Sequence, residues 1–330
     1  MHASWQQWLN RPGVEMSTDL VTAVPASDSP NRSVALTDYS IISITGPDAH
    51  KFLQGQLSCD LAGVDREGQL PGAHCNIKGH MHSLYEVIAA GEERYWLRIR
   101  TDMAEDALTL LKKYIIFSKA EAELETELLG IGLIGPDSQR LSQTYTPQTG
   151  ASCNLSQSMS EIWLPADQLE ATLDALQSEA PLATRNDWEL AGVEAAIPEL
   201  FPATREAFIP QMVNLQVFEG VSFTKGCYTG QEIVTRLQHR GQLKRPMYLA
   251  EVESSQPILP GTELASEAKP SVGKIVRAAK AGDNLYRVLA VIIKDQAEQQ
   301  TIHLESTEGP SLKLSQLPYE LDPRLFESKR

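Results

Sequence analysis

Short apolar runs at 34–36 and 41–44 predict two strands flanking a turn at Asp38-Tyr39, and Gly46-Pro47 then opens a helix carrying Phe52, Leu53 and Leu57 on one side. Residues 84–90 and 94–100 predict a hairpin around Gly91-Glu92-Glu93. Thr101 is expected to cap the next helix, with Asp102 in its first turn, Lys112 and Lys113 in its last, and Met103, Ala107, Leu110 and Tyr114 as its core stripe. Strands follow at 128–134 and 161–164, and Leu169, Leu173 and Leu176 mark an amphipathic helix with acids on its outer face. The N-x-x-E signal from Asn186 to Glu189 predicts another helix start, with Trp188 in the first turn and Pro198 ending it. Thr229 and Glu232 form a capping box, so a further helix is expected from Gly230.

Past residue 240 the pattern changes to strand-like runs at 247–252, 272–277, 285–293, 301–304 and 311–314, parted by Pro-Gly and Gly-Asp turns. A small β-barrel or sandwich is expected there. Residues 1–32 hold Trp5, Trp8 and a polar run with Pro25 and Pro30, which reads as a loosely ordered lead-in. The expected fold class is therefore α+β. The lead-in covers 1–32, two α+β units share 33–240 with their boundary near 120–128, and the β domain covers 241–330.

With 330 residues, 42% hydrophobic and 22% charged, the chain can bury more than one core. Lysine and arginine total 29 against 43 acids, and the net charge of −14 excludes a surface built throughout to hold nucleic acid. The cysteines at 59, 75, 153 and 227 form no C-x-x-C pair and no zinc spacing, which suits free thiols in a reducing cytoplasm. No export signal or membrane span is visible, so the expected location is cytoplasmic. Nor is there a nucleophile elbow, a P-loop or a strand-linked G-x-G-x-x-G.

Three stretches could carry chemistry. Cys227 lies immediately before the helix expected at Gly230, where the helix dipole and the Lys225 cation both favour a thiolate, and Gly226 and Gly230 allow tight turns on either side. Local chemistry leaves open a reactive thiol, an anion-binding turn, or a glycine-rich connection around a buried cysteine. Between Glu232 and Glu251 no acid occurs, while Arg236, His239, Arg240, Lys244 and Arg245 do. Such a basic island could dock a glutamate tail or an RNA phosphate, or face solvent as a linker. His74, Cys75, His80 and His82 cluster, but no third ligand at a recognisable spacing joins them, and no metal is expected.

The order Lys225-Gly-Cys-Tyr-Thr-Gly-Gln-Glu232, then three residues and Arg236, resembles the signature of the YgfZ-type folate-binding family. Supporting stretches are Phe52-Leu-Gln-Gly-Gln-Leu57, His74-Cys-Asn-Ile-Lys-Gly79, Leu111-Lys-Lys-Tyr114 through Phe117-Ser-Lys119, and Phe208-Ile-Pro-Gln211 with Asn214-Leu215. The resemblance covers the chain from about 34 onward. It implies a fold similar to the aminomethyltransferase of glycine cleavage: two interlocked α+β units around a central hole, then a C-terminal β-barrel. It implies a role as a cytoplasmic accessory factor that binds tetrahydrofolate or a derivative, supports iron-sulfur enzymes including those thiolating tRNA, and meets no membrane. Direct tRNA contact is a weaker implication. Carried over by residue, Cys227 is the working thiol and Lys225 its companion, while Tyr39, Trp188 and Arg236 are folate contacts. The chain departs from the family in having Tyr39, after Asp38, where a tryptophan is usual. Where the aminomethyltransferases carry paired aspartates it has His82-Ser83, which weighs against the alternative of a folate-dependent aminomethyl transferase.

Overall fold

The computed structural model describes residues 1–327, and of Arg240 the backbone alone. Helices and antiparallel strands are mixed along the chain, which is α+β as the pattern predicts. Two compact units emerge. The first comprises Met1–Phe52, Ala62–Gln69 and Glu86–Ala191, and the second Leu53–Leu61, Leu70–Tyr85 and Gly192–Arg330.

In the first unit a four-stranded antiparallel sheet runs in the order Ala151–Asn154, Met159–Pro165, Leu128–Ile134, Arg32–Ala35. The strand Leu128–Ile134 carries two glycines because two indoles lie against it: a Cβ at Gly130 would stand 2.7 Å from the Trp163 ring, and one at Gly132 would stand 2.6 Å from Trp188. Leu169, Leu173 and Leu176 of the helix Leu169–Leu176 complete the core on this sheet with Ile131, Leu133 and Ile162. Each such leucine contributes about 1.5–3 kcal/mol by leaving water.

The expected loose lead-in is instead packed. Ala3–Leu9 is a helix whose W-x-x-W spacing turns Trp5 and Trp8 onto one face, where both are buried in that core. Trp8 also donates from Nε1 to Asp174 Oδ1 at 3.1 Å. This seven-residue amphipathic helix lies ahead of the polar run that carries Pro25 and Pro30.

The other ladder of this unit joins residues 86–89 of Met81–Ala89 to Arg94–Arg100, then Tyr39–Thr45, then Glu121–Glu125. The helix Thr101–Ile115 has Asp102 in its first turn and Lys112 and Lys113 in its last, as predicted. Two details differ. Thr101 is the first helical residue and not the cap, its hydroxyl lying 2.9 Å from that of Ser40. The buried stripe is Met103, Ala104, Ala107, Leu111 and Ile115, so Tyr114 faces solvent. An i, i+4 run from Met103 and an i, i+7 run from it are neighbours on a helix, and only packing chooses between them.

In the second unit residues 70–75 of the strand Gln69–Cys75 turn through 76–80 into residues 81–85 of Met81–Ala89, closed by Asn76 N–H donating to His80 O at 2.8 Å. Its largest sheet is antiparallel, in the order His303–Leu304, Glu263–Ser266, Lys269–Gly282, Leu285–Ile292, Met247–Glu253, Leu312–Ser315. All five runs predicted past residue 240 are strands here. The sixth, Glu263–Ser266, has only two apolar residues and no readable alternation.

Candidate functional site

The signature stretch is a loop and the start of a helix, both in the second unit. Ser222 N–H donates to Ser58 O at 2.8 Å, and the Ser222 hydroxyl accepts from Lys225 N–H at 3.2 Å, folding the chain into a Ser turn before Lys225. Lys225 turns inward. Its ammonium donates to the carbonyls of Leu57 at 2.8 Å and Cys59 at 2.6 Å, and lies 5.1 Å from the centroid of the Tyr228 ring. Burial lowers its pKa to about 8, against the opposing pull of Cys59 and Asp60. Tyr228 is buried and its hydroxyl has no hydrogen-bond partner, so desolvation raises its pKa.

The helix Gln231–Arg240 starts within a residue of the expected place, but not through the expected capping box. Gly230 is the N-cap in the left-handed region, φ +83°, and no side chain caps the helix. Contact dictates this. A Cβ at Gly230 would come within 2.5 Å of Asn76 O and 2.9 Å of Cys75 Cβ, so only glycine lets the loop rest on the 76–80 turn. Gly79 of that turn is equally confined, by Ile233. Gly230→Ala is therefore expected to cost about 1–3 kcal/mol of backbone strain, beyond the clash, and to loosen the loop carrying Cys227. Chemical denaturation and the alkylation rate of Cys227 measure the two effects, and a variant unchanged in both means that the loop does not rest on this glycine.

Of the four free cysteines, Cys227 is exposed and Cys59, Cys75 and Cys153 are buried. Burial pushes the Cys75 thiol up to about 12 and raises that of Cys153, with Glu161 and Glu86 adding to the latter. On the same helix Arg236 and His239 are exposed, as are Lys244 and Arg245 after it. The Arg240 side chain of this basic island lies outside the described residues.

Near the loop, His74 is buried with an unpartnered Nδ1, and burial followed by the neighbouring His82 lowers its pKa to about 4. His82 Nδ1 lies 2.8 Å from Glu206 Oε1. Among the described residues no three histidine, cysteine or acidic side chains are grouped to hold a metal ion.

Tyr39 and Trp188 belong to the first unit. The helix Arg185–Glu194 is entered through a reciprocal pair, with Thr184 N–H donating to Asp187 Oδ2 at 2.8 Å and Asp187 N–H to Thr184 Oγ1 at 3.2 Å. The capping box is thus two residues upstream of the predicted one, and the helix ends at Glu194, short of Pro198. Trp188 is 1% exposed, with its ring on Gly132 and Leu36 nearby. Tyr39 lies beneath Arg98 at 4.5 Å and Arg185 at 5.2 Å, and its hydroxyl accepts from Arg185 Nη2 at 3.3 Å. Arg185 also donates to both oxygens of Asp38 and pairs with Glu189 at 2.6 Å. Burial opposes its charge, but Glu189 and Asp38 outweigh burial and keep the guanidinium protonated far above ordinary pH. Its Nη1 is buried without a partner.

The tRNA-modifying protein YgfZ of Photobacterium profundum is 32% identical to this chain over 305 residues, covering 88% of this chain and 92% of the relative. The protein of the same name from Sodalis glossinidius is 30% identical over 313 residues, covering 90% and 95%. The chain belongs to the YgfZ family. It matches no protein-family model. Its fold is similar to the crystal structure of glycine cleavage system aminomethyltransferase T from Bartonella henselae, with a TM-score of 0.75 at 14% identity over 99% of this chain and 98% of that one. The fold is thus aminomethyltransferase-like, as the signature's resemblance implied.

In this YgfZ-family chain the sequence reading overlooked a buried ionic set around Tyr39. Glu161 is fully buried and accepts from Arg98 Nη2 at 2.8 Å and Trp163 Nε1 at 2.8 Å. Arg98 stands directly across the ladder from Glu86 and from Ile41. The available signal was an ionisable residue inside an apolar strand, Glu161 in MSEIWLP and Arg98 in RYWLRIR. No helix among the described residues is long and apolar enough to cross a membrane.

Proposed function

We propose that this chain is a folate-binding accessory protein that supports iron-sulfur enzymes, and through them tRNA thiolation, with Cys227 as its working thiol. The relatives are named for tRNA modification, the fold is aminomethyltransferase-like, and the signature resembles that of a folate-binding family. The observation that carries the proposal is the contrast among cysteines. A braced loop displays Cys227, while the other three thiols are sealed in cores.

Tetrahydrofolate or a derivative is the proposed ligand. Tyr39 and Trp188, both buried, are the aromatic contacts proposed from the signature's resemblance, and the unpartnered Arg185 Nη1 is a buried donor that a folate acceptor atom would satisfy. Arg236 is the proposed contact for a folate carboxylate, being exposed and on the helix that Cys227 precedes. Trp188→Ala is expected to weaken folate binding by about 1 kcal/mol from lost stacking, plus the loss of burial. Unchanged affinity in a folded variant removes Trp188 from the ligand set.

One observation favours a second reading, a folate-dependent aminomethyl transferase. The His82–Glu206 pair restores a carboxylate beside the place where such enzymes carry theirs. Calorimetric titration with tetrahydrofolate beside a turnover assay with an aminomethyl donor separates the two. Binding without turnover supports the accessory role, turnover that survives Cys227→Ser establishes the transferase, and no binding overturns both.

A further inference from the structure

The end of the helix Thr101–Ile115 displays what a folded core would ordinarily hide. Phe117 is 86% exposed, Ile116 71% and Tyr114 40%. These side chains forgo burial, and the backbone beneath them is not a fraying end. Ser118 N–H donates to Ile115 O at 2.8 Å, Lys119 N–H to Asp48 Oδ2 at 2.8 Å, and Asp48 N–H to Lys119 O at 3.2 Å. Gly46, at φ +117°, packs so closely that a Cβ would stand 2.6 Å from Lys119 O. The tip is thus pinned from below while its aromatic rings face outward.

Charge indicates what covers it. No acid occurs between Asp106 and Glu121, a stretch that carries Lys112, Lys113 and Lys119, all exposed. In a chain of net charge −14, three lysines around two outward aromatic rings complement a polyanion that also offers flat apolar faces. Unpaired RNA has both, phosphates for the lysines and bases to stack on the rings.

We propose that this tip is a contact for single-stranded RNA, such as a tRNA loop, with bases stacking on Phe117 and Tyr114 and phosphates held by Lys112, Lys113 and Lys119. This goes beyond the indirect support of tRNA thiolation proposed above and takes from it only the choice of RNA. Because the rings rest on a fixed backbone, stacking needs little ordering of the protein. Because base faces are alike, the contact is tolerant of sequence.

Fluorescence anisotropy of the full chain with a labelled unmodified tRNA transcript and with oligouridylate, across a salt series, tests the proposal. The expected log–log salt slope is about −2 for three phosphates on a single strand. Phe117→Ala is expected to weaken binding by about 10-fold or more at an unchanged slope. The combined Lys112→Ala, Lys113→Ala, Lys119→Ala variant should bring the slope close to zero. Inorganic polyphosphate should compete poorly, since it has no bases. All these side chains are exposed, so melting curves and folate titration should not change, which keeps failure here distinct from failure of the folate reading.

Four results overturn the proposal: no RNA retained at low salt, Phe117→Ala binding as tightly as the parent, polyphosphate competing charge for charge, or RNA retention abolished by Arg236→Ala, Lys244→Ala, Arg245→Ala and untouched by the tip variants. Co-sedimentation with phosphatidylglycerol vesicles in the absence of RNA binding also overturns it and assigns the tip to a membrane surface.

Discussion

Cys227→Ser is expected to leave the chain folded and to abolish its support of tRNA thiolation. The side chain is exposed, so replacing sulfur by oxygen disturbs no core, and the stability change should stay within about 0.5 kcal/mol. The loop does not depend on the thiol. It is held by Lys225 on the carbonyls of Leu57 and Cys59, by the Ser222 turn, and by the close fit of Gly230 on the 76–80 turn. What the variant removes is the nucleophile, since a serine hydroxyl at neutral pH does none of the exchange or ligation that a thiolate does. Alkylation checks the premise. With iodoacetamide Cys227 should react first and the buried Cys59, Cys75 and Cys153 far more slowly. In a strain deleted for the native gene, the serine variant should restore no thiolated nucleotide while the purified protein still titrates with tetrahydrofolate. Full restoration would sink the working-thiol idea, and so would a Cys227 that alkylates no faster than the other three.

The elements with simple periodicity were legible in the sequence, and those governed by contact were not. The strand at 128–134 was visible as an apolar run, yet the reason for its glycines was not, because Trp163 and Trp188 reach them only after folding. Likewise the sequence placed a helix after Cys227 to within a residue, but misread its cap. A Thr-x-x-Glu spacing is a local signal, and it lost to a tertiary one, the approach of Gly230 to Asn76 and Cys75. The amphipathic stripe of Thr101–Ile115 was read one position off, which hid the outward turn of Tyr114. The signature itself was the most legible part, since its residue order is particular enough to suggest a family before any fold is known. Its inward half could not be read, because nothing in the letters K-G-C-Y says that the lysine bonds to backbone 166 and 168 residues away.

Glu161→Leu is expected to destabilise the first unit by about 3–5 kcal/mol, because it strips a fully buried carboxylate from a guanidinium that is itself nearly buried. Glu161 accepts from Arg98 through Nε at 3.2 Å and Nη2 at 2.8 Å, and from Trp163 Nε1 at 2.8 Å, so its loss leaves both a cation and an indole donor short of a partner. Glu86, opposite Arg98 on the ladder, remains to hold part of that charge, which sets the lower end of the range. The cost arises from a buried charge that loses its bidentate acceptor and not from the pair's net contribution. Arg98→Met combined with Glu161→Leu should recover only part of the lost stability, because buried Glu86 then loses the guanidinium opposite it and Trp163 Nε1 still lacks its acceptor. Function should not recover with it. Arg98 lies 4.5 Å over the ring of Tyr39, so the double variant loses the cation on a proposed folate contact and should bind folate more weakly while folding well. Urea denaturation followed by tryptophan fluorescence suits the test, since all five tryptophans are buried in the first unit. A cost below about 1 kcal/mol for Glu161→Leu, in the range of an exposed pair, would mean that water reaches the carboxylate, and Arg98 would then have no fixed place over Tyr39.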